Sequence, residues 1–322
     1  MTVKQTPQHM TCMEVWGGSQ LTARGVELGG LDAWVYSKPF GDAKYGGDIY
    51  YASSCATGRI SRLLLADVAG HGYSVAATAS ELRKLMRRFV NHLDQTEFVR
   101  LLNEEFVALS RKEAFATAIV TTFFAPTGSL SVCNAGHPRP LVYRAAQSQW
   151  DLLGHHGPPA GRSSASNIPL GILHISRYEQ FSIQLEPGDC VLSYTDALIE
   201  CRDASGEMLG EAGLLNIARQ FNGMQAESLI DSFLSAIEQQ YPKNLSEDDV
   251  TLLVIQANGR EPKNSIIDKL GALGRFSRTL IGAIDPNAER APFPDANLAN
   301  IGGAIIPALA RRWRAAGKPP HP

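Results

Sequence analysis

Hydrophobic and polar positions alternate at short period through residues 31–66. The segment Leu31-Asp32-Ala33-Trp34-Val35-Tyr36 alternates loosely, as a strand with one buried face does, and Pro39-Phe40-Gly41-Asp42 breaks it. Gly46-Gly47 precedes Asp48, Ile49 to Ser53 reads as the next strand, and Thr57-Gly58 turns the chain into a strand from Ile60 to Ala66 that delivers Asp67. The period then changes. Val75, Ala79, Leu82, Met86 and Phe89 recur at helical spacing, with Arg83, Lys84, Arg87 and Arg88 on other faces. Phe98, Leu101, Leu102, Phe106 and Leu109 form the apolar stripe of a second helix, for which Thr96 is the expected cap.

From Thr117 the pattern returns to β: Ala118 to Phe124, a turn at Pro126-Thr127-Gly128, then Leu130 to Cys133 and Leu141 to Tyr143, the last two joined by Asn134-Ala135-Gly136-His137-Pro138. The Gly-, Pro- and Ser-rich stretch from Gly154 to Asn167 is long enough for a flap or surface insertion, and its His155-His156 pair reads as solvated. Phe181, Ile183 and Leu185 alternate before the turn Glu186-Pro187-Gly188-Asp189, and Val191 to Tyr194 runs into Thr195-Asp196. Leu214 to Phe221 and Leu229 to Ile237 read as helices, and Val250 to Ile255 as a closing strand. Residues 1–30, with Gly17-Gly18 and Gly29-Gly30 and no clear period, read as an irregular leader. Two runs of strands with helix pairs between them predict an α+β layered domain over residues 31–258 rather than a doubly wound parallel sheet.

An acid stands beside an apolar β-like run in four places: Asp48 after Gly46-Gly47, Asp67 before Val68-Ala69-Gly70-His71-Gly72, Asp196 after Ser193-Tyr194-Thr195, and Asp248-Asp249 before Val250-Thr251. Carboxylates gathered at strand ends repel one another and resist desolvation, so a site that collects them suits hard divalent cations, Mg²⁺ or Mn²⁺ rather than zinc. That pattern points to a two-metal hydrolase centre. Whether Asp48 and Asp67 share one end of a strand pair depends on register. No P-loop, dinucleotide fingerprint or GxSxG elbow offers a competing chemistry.

Composition narrows the class. With 44% hydrophobic and 19% charged residues in 322, the chain is long enough for one large core plus extensions. It has no signal peptide pattern and no apolar run of about 18 residues, which predicts a cytoplasmic protein. Five cysteines, Cys12, Cys55, Cys133, Cys190 and Cys201, lack CxxC spacing and read as free buried thiols. The net charge of −2 is uneven: residues 259–322 hold 10 Lys/Arg against 5 Asp/Glu, which leaves 20 against 27 for residues 1–258. In this basic tail Ile266, Ile267, Leu270, Leu273, Leu280 and Ile281 fall at helical spacing, and Ile305, Leu309 and Trp313 make a shorter stripe beside Arg311, Arg312 and Arg314. Two amphipathic segments result, suited to the domain's own surface, a regulatory partner or an anionic membrane, so a place peripheral to the membrane is compatible with them. No nucleic-acid partner is expected.

Taken together, Gly46-Gly47-Asp48-Ile49-Tyr50, Asp67-Val68-Ala69-Gly70-His71-Gly72, Asn134-Ala135-Gly136-His137-Pro138, Pro169-Leu170-Gly171, Tyr194-Thr195-Asp196-Ala197-Leu198-Ile199-Glu200 and Asp248-Asp249-Val250-Thr251 resemble the motifs of bacterial PPM/PP2C-type serine phosphatases of the SpoIIE/RsbU group, in that family's order and spacing. The resemblance covers about residues 30–257. It implies an αββα sandwich of two antiparallel sheets flanked by helix pairs, two Mn²⁺ or Mg²⁺ ions at one edge, and hydrolysis of phosphoserine or phosphothreonine in a protein, often a phosphorylated STAS-domain anti-anti-sigma factor. It also implies site residues: Asp67 as the ligand shared by both metals with the Val68 carbonyl beside it, Asp196 and Asp248 completing the set, Asp48 binding directly or through water, and Asp249 orienting the site from behind. The acid role of a histidine two residues after the shared aspartate in the eukaryotic branch does not transfer to His71, four residues after Asp67; a loop-organising role is expected there. A non-catalytic interaction domain and a small-molecule phosphohydrolase are the competing functions. With about 30 residues ahead of the catalytic part, too few for an independent fold, regulation is expected from a partner, a homodimer contact or the tail.

Overall fold

The computed structural model describes residues 7–10, 15–55, 58–70, 73–90, 92, 94–109, 114–154, 167–174 and 176–260. In chain order the elements are β1 (Gln8–His9), β2 (Val15–Gly18), β3 (Thr22–Leu28), β4 (Leu31–Lys38), β5 (Asp48–Cys55), β6 (Ile60–Val68), α1 (Tyr73–Phe89), α2 (Gln95–Leu109), β7 (Ala116–Phe124), β8 (Ser129–Ala135), β9 (Leu141–Arg144), β10 (Gln149–Leu152), β11 (Gln180–Gln184), β12 (Cys190–Tyr194), α3 (Gly210–Ala218), α4 (Ala226–Glu238) and β13 (Val250–Ala257). They form a seven-stranded sheet in the order β1-β3-β4-β13-β12-β9-β10 and a six-stranded sheet in the order β11-β8-β7-β6-β5-β2. Every pairing is antiparallel except the short β1 against β3.

Three apolar layers make this an αββα sandwich. Leu63, Leu65, Tyr50 and Ile119 of one sheet meet Val35, Leu253 and Ile255 of the other between the sheets. Leu64, Ala66 and Val68 turn the opposite way, onto Leu82, Met86, Phe98 and Phe106 of α1 and α2. Leu192, Leu252 and Val254 pack outward on Leu214, Leu229 and Phe233 of α3 and α4. Because β6 is covered on both faces, it reads as the unbroken run Leu63-Leu64-Leu65 rather than as an alternation. Each of these leucines is at most 1% exposed, so truncation of one to alanine costs about 2–5 kcal/mol.

Several sequence expectations shift. Residues read as an irregular leader contain β2 and β3, one strand for each sheet. The glycines that hid them are there for packing: a Cβ on Gly25 would lie 2.7 Å from the Trp34 ring, and one on Gly17 would lie 2.6 Å from the Tyr50 carbonyl. The cap of α2 is Asp94 rather than Thr96, since its Oδ1 accepts the backbone N–H groups of Thr96 and Glu97 at 2.9 and 3.2 Å. Asn134 to Pro138 joins strands of different sheets, β8 and β9, and so carries the chain across the sandwich. The third predicted helix runs from Gly210 to Ala218 and tightens into a 3₁₀ turn over Arg219–Phe221. Cys133, Cys190 and Cys201 are buried free thiols, as their spacing suggested. His71, His155-His156, most of the 154–167 stretch and the tail beyond residue 260 lie outside the described residues.

Candidate metal centre

The two sheets bring their acidic strand ends to one edge. Asp48 opens β5 and Asp67 stands one residue before the end of β6, and the antiparallel register makes them direct cross-strand partners. This settles the question of register that the sequence left open. In the other sheet β12 ends at Tyr194, just before Thr195-Asp196, and β13 starts at Val250, just after Asp248-Asp249; Tyr194 pairs with Leu252, so these ends also coincide. Asp196 begins a short 3₁₀ turn, Asp196–Leu198.

Asp48 is 2% exposed. Its Oδ2 accepts the Thr195 hydroxyl at 2.9 Å, whereas its Oδ1 is buried with no hydrogen-bond partner. Burial first, and then the neighbouring Asp67, hold the Asp48 carboxyl well above the usual carboxylate range, against the opposing hydroxyls of Thr251 and Thr195. Asp67 is pushed up to about 8, by burial and then by Asp196, Asp248 and Asp249. Glu200, which the sequence offered only as the end of a motif, is also raised, by burial and by Asp196 and Asp248. Acids that raise one another in this way repel, and a cation among them would relieve that repulsion.

Asp248 and Asp249, adjacent in sequence, have different surroundings. Asp249 is buried, and its two carboxylate oxygens accept the backbone N–H groups of Phe40 and Gly47, each at 2.6 Å. The half-buried Asp248 accepts the N–H of Asp249 at 2.7 Å. Gly46 and Gly47 make the Asp249 clasp possible: a Cβ on Gly46 would sit 2.6 Å from the Asp249 carboxylate, and one on Gly47 would sit 2.9 Å from the Val68 carbonyl. The sequence signal for this, a Gly-Gly pair directly before an acid, was present but legible only as a turn.

His137 stood in a connecting loop and in one of the family motifs, with no role of its own assigned from the sequence. It is buried, its Nδ1 lies 2.8 Å from Thr117 Oγ1, and Thr117 is the cross-strand partner of Asp67 on β7. Burial pushes its imidazole down to about 3, so it stands neutral beside the acidic edge. The loop is self-braced, with Asn134 Oδ1 accepting the His137 N–H at 2.7 Å and Asn134 Nδ2 donating to the His137 carbonyl at 2.8 Å.

Among the described residues no three His, Cys, Asp or Glu side chains are drawn together into a closed ligand cage. The chemistry of the donors nevertheless fits hard cations: carboxylate oxygens, an orphaned buried oxygen on Asp48, and mutual repulsion that a divalent ion would relieve.

Known proteins share this architecture. The family profile of stage II sporulation protein E (SpoIIE) matches residues 58–258. Protein IcfG of Synechocystis sp. is 22% identical over 178 residues, 55% of this chain and 25% of that protein, so the chain spans about a quarter of the length of this relative. The crystal structure of the RsbU and RsbW domains of Rv1364c from Mycobacterium tuberculosis superposes with a TM-score of 0.59 at 23% identity, covering 93% of this chain and 78% of that one. The PP2C phosphatase domain and regulatory fragment of SpoIIE from Bacillus subtilis superposes with a TM-score of 0.58 at 16% identity, covering 76% and 71%.

Proposed function

Since the chain belongs to the SpoIIE family of PPM/PP2C-type phosphatases, we propose that it is a metal-dependent phosphatase of phosphoserine or phosphothreonine in proteins, with a phosphorylated STAS-type regulator as its substrate. The observation that carries the reading is the convergence of Asp48, Asp67, Asp196 and Asp248 from strand ends of two sheets onto one edge, with Asp48 Oδ1 buried and unpartnered. In this reading Asp67 serves both ions with the Val68 carbonyl beside it, Asp196 and Asp248 complete the set, and Asp48 binds directly or through water. Asp249, with both oxygens committed to backbone N–H groups, orients the site. Two Mn²⁺ or Mg²⁺ ions would supply positive charge for the phosphate oxygens and acidify water near neutral pH.

The surroundings favour a protein over a metabolite. A polar cleft of about 310 Å³ opens beside Asp248, lined among others by Glu200, Arg202, Lys243 and Asn244. The exposed apolar side chains Phe40, Tyr45, Phe115, Ile172 and Met208 lie on loops that enter or leave this same edge. A phosphorylated metabolite has no use for such a rim, whereas a folded partner buries it. The pairing of an RsbU with an RsbW domain in the M. tuberculosis protein supports a place in partner-switching regulation. None of the described helices is long and apolar enough to cross a membrane. The tail over 259–322 serves a regulatory partner, a homodimer contact or a membrane surface, and the catalytic part, which includes strands β2 and β3 ahead of residue 31, runs to residue 258.

The test is phosphate release from a phosphorylated STAS protein, a small aryl phosphate and a panel of phosphorylated metabolites, after chelation and after return of single metals. Mn²⁺ or Mg²⁺ should restore turnover on the first two, and Asp196→Asn should lower it at least about 100-fold while the protein stays folded. Restoration by Zn²⁺ alone, or wild-type rates in Asp196→Asn, would overturn the assignment, and preference for a metabolite would move the function to that class.

A further inference from the structure

Thr195 is fully buried in the seam between the sheets, one residue before Asp196. Its hydroxyl has a fixed polarity. The N–H of Thr251 donates to Thr195 Oγ1 at 3.0 Å, which occupies the oxygen as an acceptor and leaves its single proton to be given away. Two acceptors are in reach: Asp48 Oδ2 at 2.9 Å and the Thr251 carbonyl at 3.4 Å. The carbonyl already accepts the Thr195 N–H at 3.0 Å, and a hydrogen bond to a carboxylate is the stronger of the two. The proton therefore goes to Asp48. Thr251 is held in turn, its hydroxyl 3.0 Å from Ser37 Oγ.

The bond crosses the sandwich. Asp48 belongs to β5 of the six-stranded sheet, whereas Thr251 lies in β13 of the seven-stranded sheet and Thr195 directly follows β12, bonded to Thr251. It therefore ties the sheet that carries Asp48 and Asp67 to the sheet that carries Asp196 and Asp248, and it uses one oxygen of Asp48 and leaves the other.

We propose that Thr195 is a positioning residue for the candidate metal centre: its hydroxyl fixes the Asp48 carboxylate across the sheet seam so that Oδ1 is the oxygen free to serve a cation. This rests on the metal-dependent reading above and adds a residue to it. Without the hydroxyl, Asp48 can rotate away from the site, and the two sheets lose a link at the edge where their carboxylates must meet. Outer partners of metal ligands act in this way, through orientation rather than contact.

The comparison is Thr195→Val, which keeps the shape and removes the hydroxyl, against Thr195→Ser, which keeps the hydroxyl. The full chain is titrated with Mn²⁺ and followed by calorimetry and by the loss of free-Mn²⁺ electron paramagnetic resonance signal. Thr195→Val should bind Mn²⁺ about 10- to 100-fold more weakly, with Thr195→Ser close to the wild type. Hydrolysis of a small aryl phosphate should fall in Thr195→Val at low Mn²⁺ and recover at excess, which a purely structural loss would not do. If Thr195→Val does not fold, Thr195→Cys, with a weak donor in nearly the same volume, carries the same comparison. A folded variant without the hydroxyl that binds Mn²⁺ as tightly as the wild type would overturn the role of Thr195. Absence of Mn²⁺ binding by the wild type would instead overturn the metal-dependent reading, so the two failures are distinguishable.

Discussion

Removing the charge of Asp67 should stabilise the metal-free protein in proportion to pH. Folded Asp67 titrates at about 8, against 3.8 for the free group. Between these values the folded state holds a proton that the unfolded chain releases, so stability falls as pH rises. One retained proton corresponds to about 1.4 kcal/mol per pH unit, and hence to about 2.6 kcal/mol between pH 5 and pH 7. Asp48, also raised, adds a slope of the same sign. His137, held down to about 3 against 6.5, has the opposite sign, because the unfolded chain takes up a proton below 6.5 that the folded one refuses. The wild-type profile is thus a sum of opposed slopes, and the informative quantity is the difference between wild type and Asp67→Asn. Urea unfolding of the chelated proteins at pH 5, 6 and 7 measures it. Asp67→Asn should gain about 2.6 kcal/mol relative to wild type between pH 5 and pH 7, beyond the gain already made between pH 3.8 and pH 5. Mn²⁺ should narrow the gap, since an ion at 100 times its dissociation constant stabilises the protein that binds it by about 2.7 kcal/mol and leaves Asp67→Asn nearly unchanged. Parallel stability curves from pH 5 to pH 7 would refute the electrostatic account of the site.

Two further outcomes follow from neighbouring features. Asp249→Asn removes the charge that two backbone N–H groups share, so thermal or urea unfolding of the metal-free protein should show a loss of about 2–4 kcal/mol, whereas Asp248→Asn should not lower that stability and should weaken Mn²⁺ binding in calorimetry. The reverse pattern would exchange their roles. A chain ending at Gly259 should keep metal-dependent hydrolysis of a small aryl phosphate while its rate on a protein substrate, or its sedimentation with anionic vesicles, changes; complete loss of aryl phosphate hydrolysis in a folded truncation would place the tail in the site.

The alternation and the apolar runs of the sequence determined most of the strands, both helix pairs and the acids at the strand ends, because burial imposes its period on each element locally. Leu63-Leu64-Leu65 announced a strand covered on both faces, and β6 is one. Asp48, Asp67, Asp196 and Asp248 were legible as a set because each stands beside an apolar run. Strands β2 and β3 were not, since Gly17 and Gly25 are required by the Tyr50 backbone and the Trp34 ring, which no local pattern contains. Tertiary structure also decided the pairing of Asp48 with Asp67, as alternation fixes which face a residue occupies but not which residue lies opposite. It separated Asp248 from Asp249 through Phe40 and Gly47, more than 200 positions away in the chain. It gave Thr195 and His137 their places for the same reason: a hydroxyl or an imidazole acquires a role from the groups that accept and donate to it, and here those groups, Asp48, Thr251 and Thr117, come from other strands brought together only by the packing of the sheets.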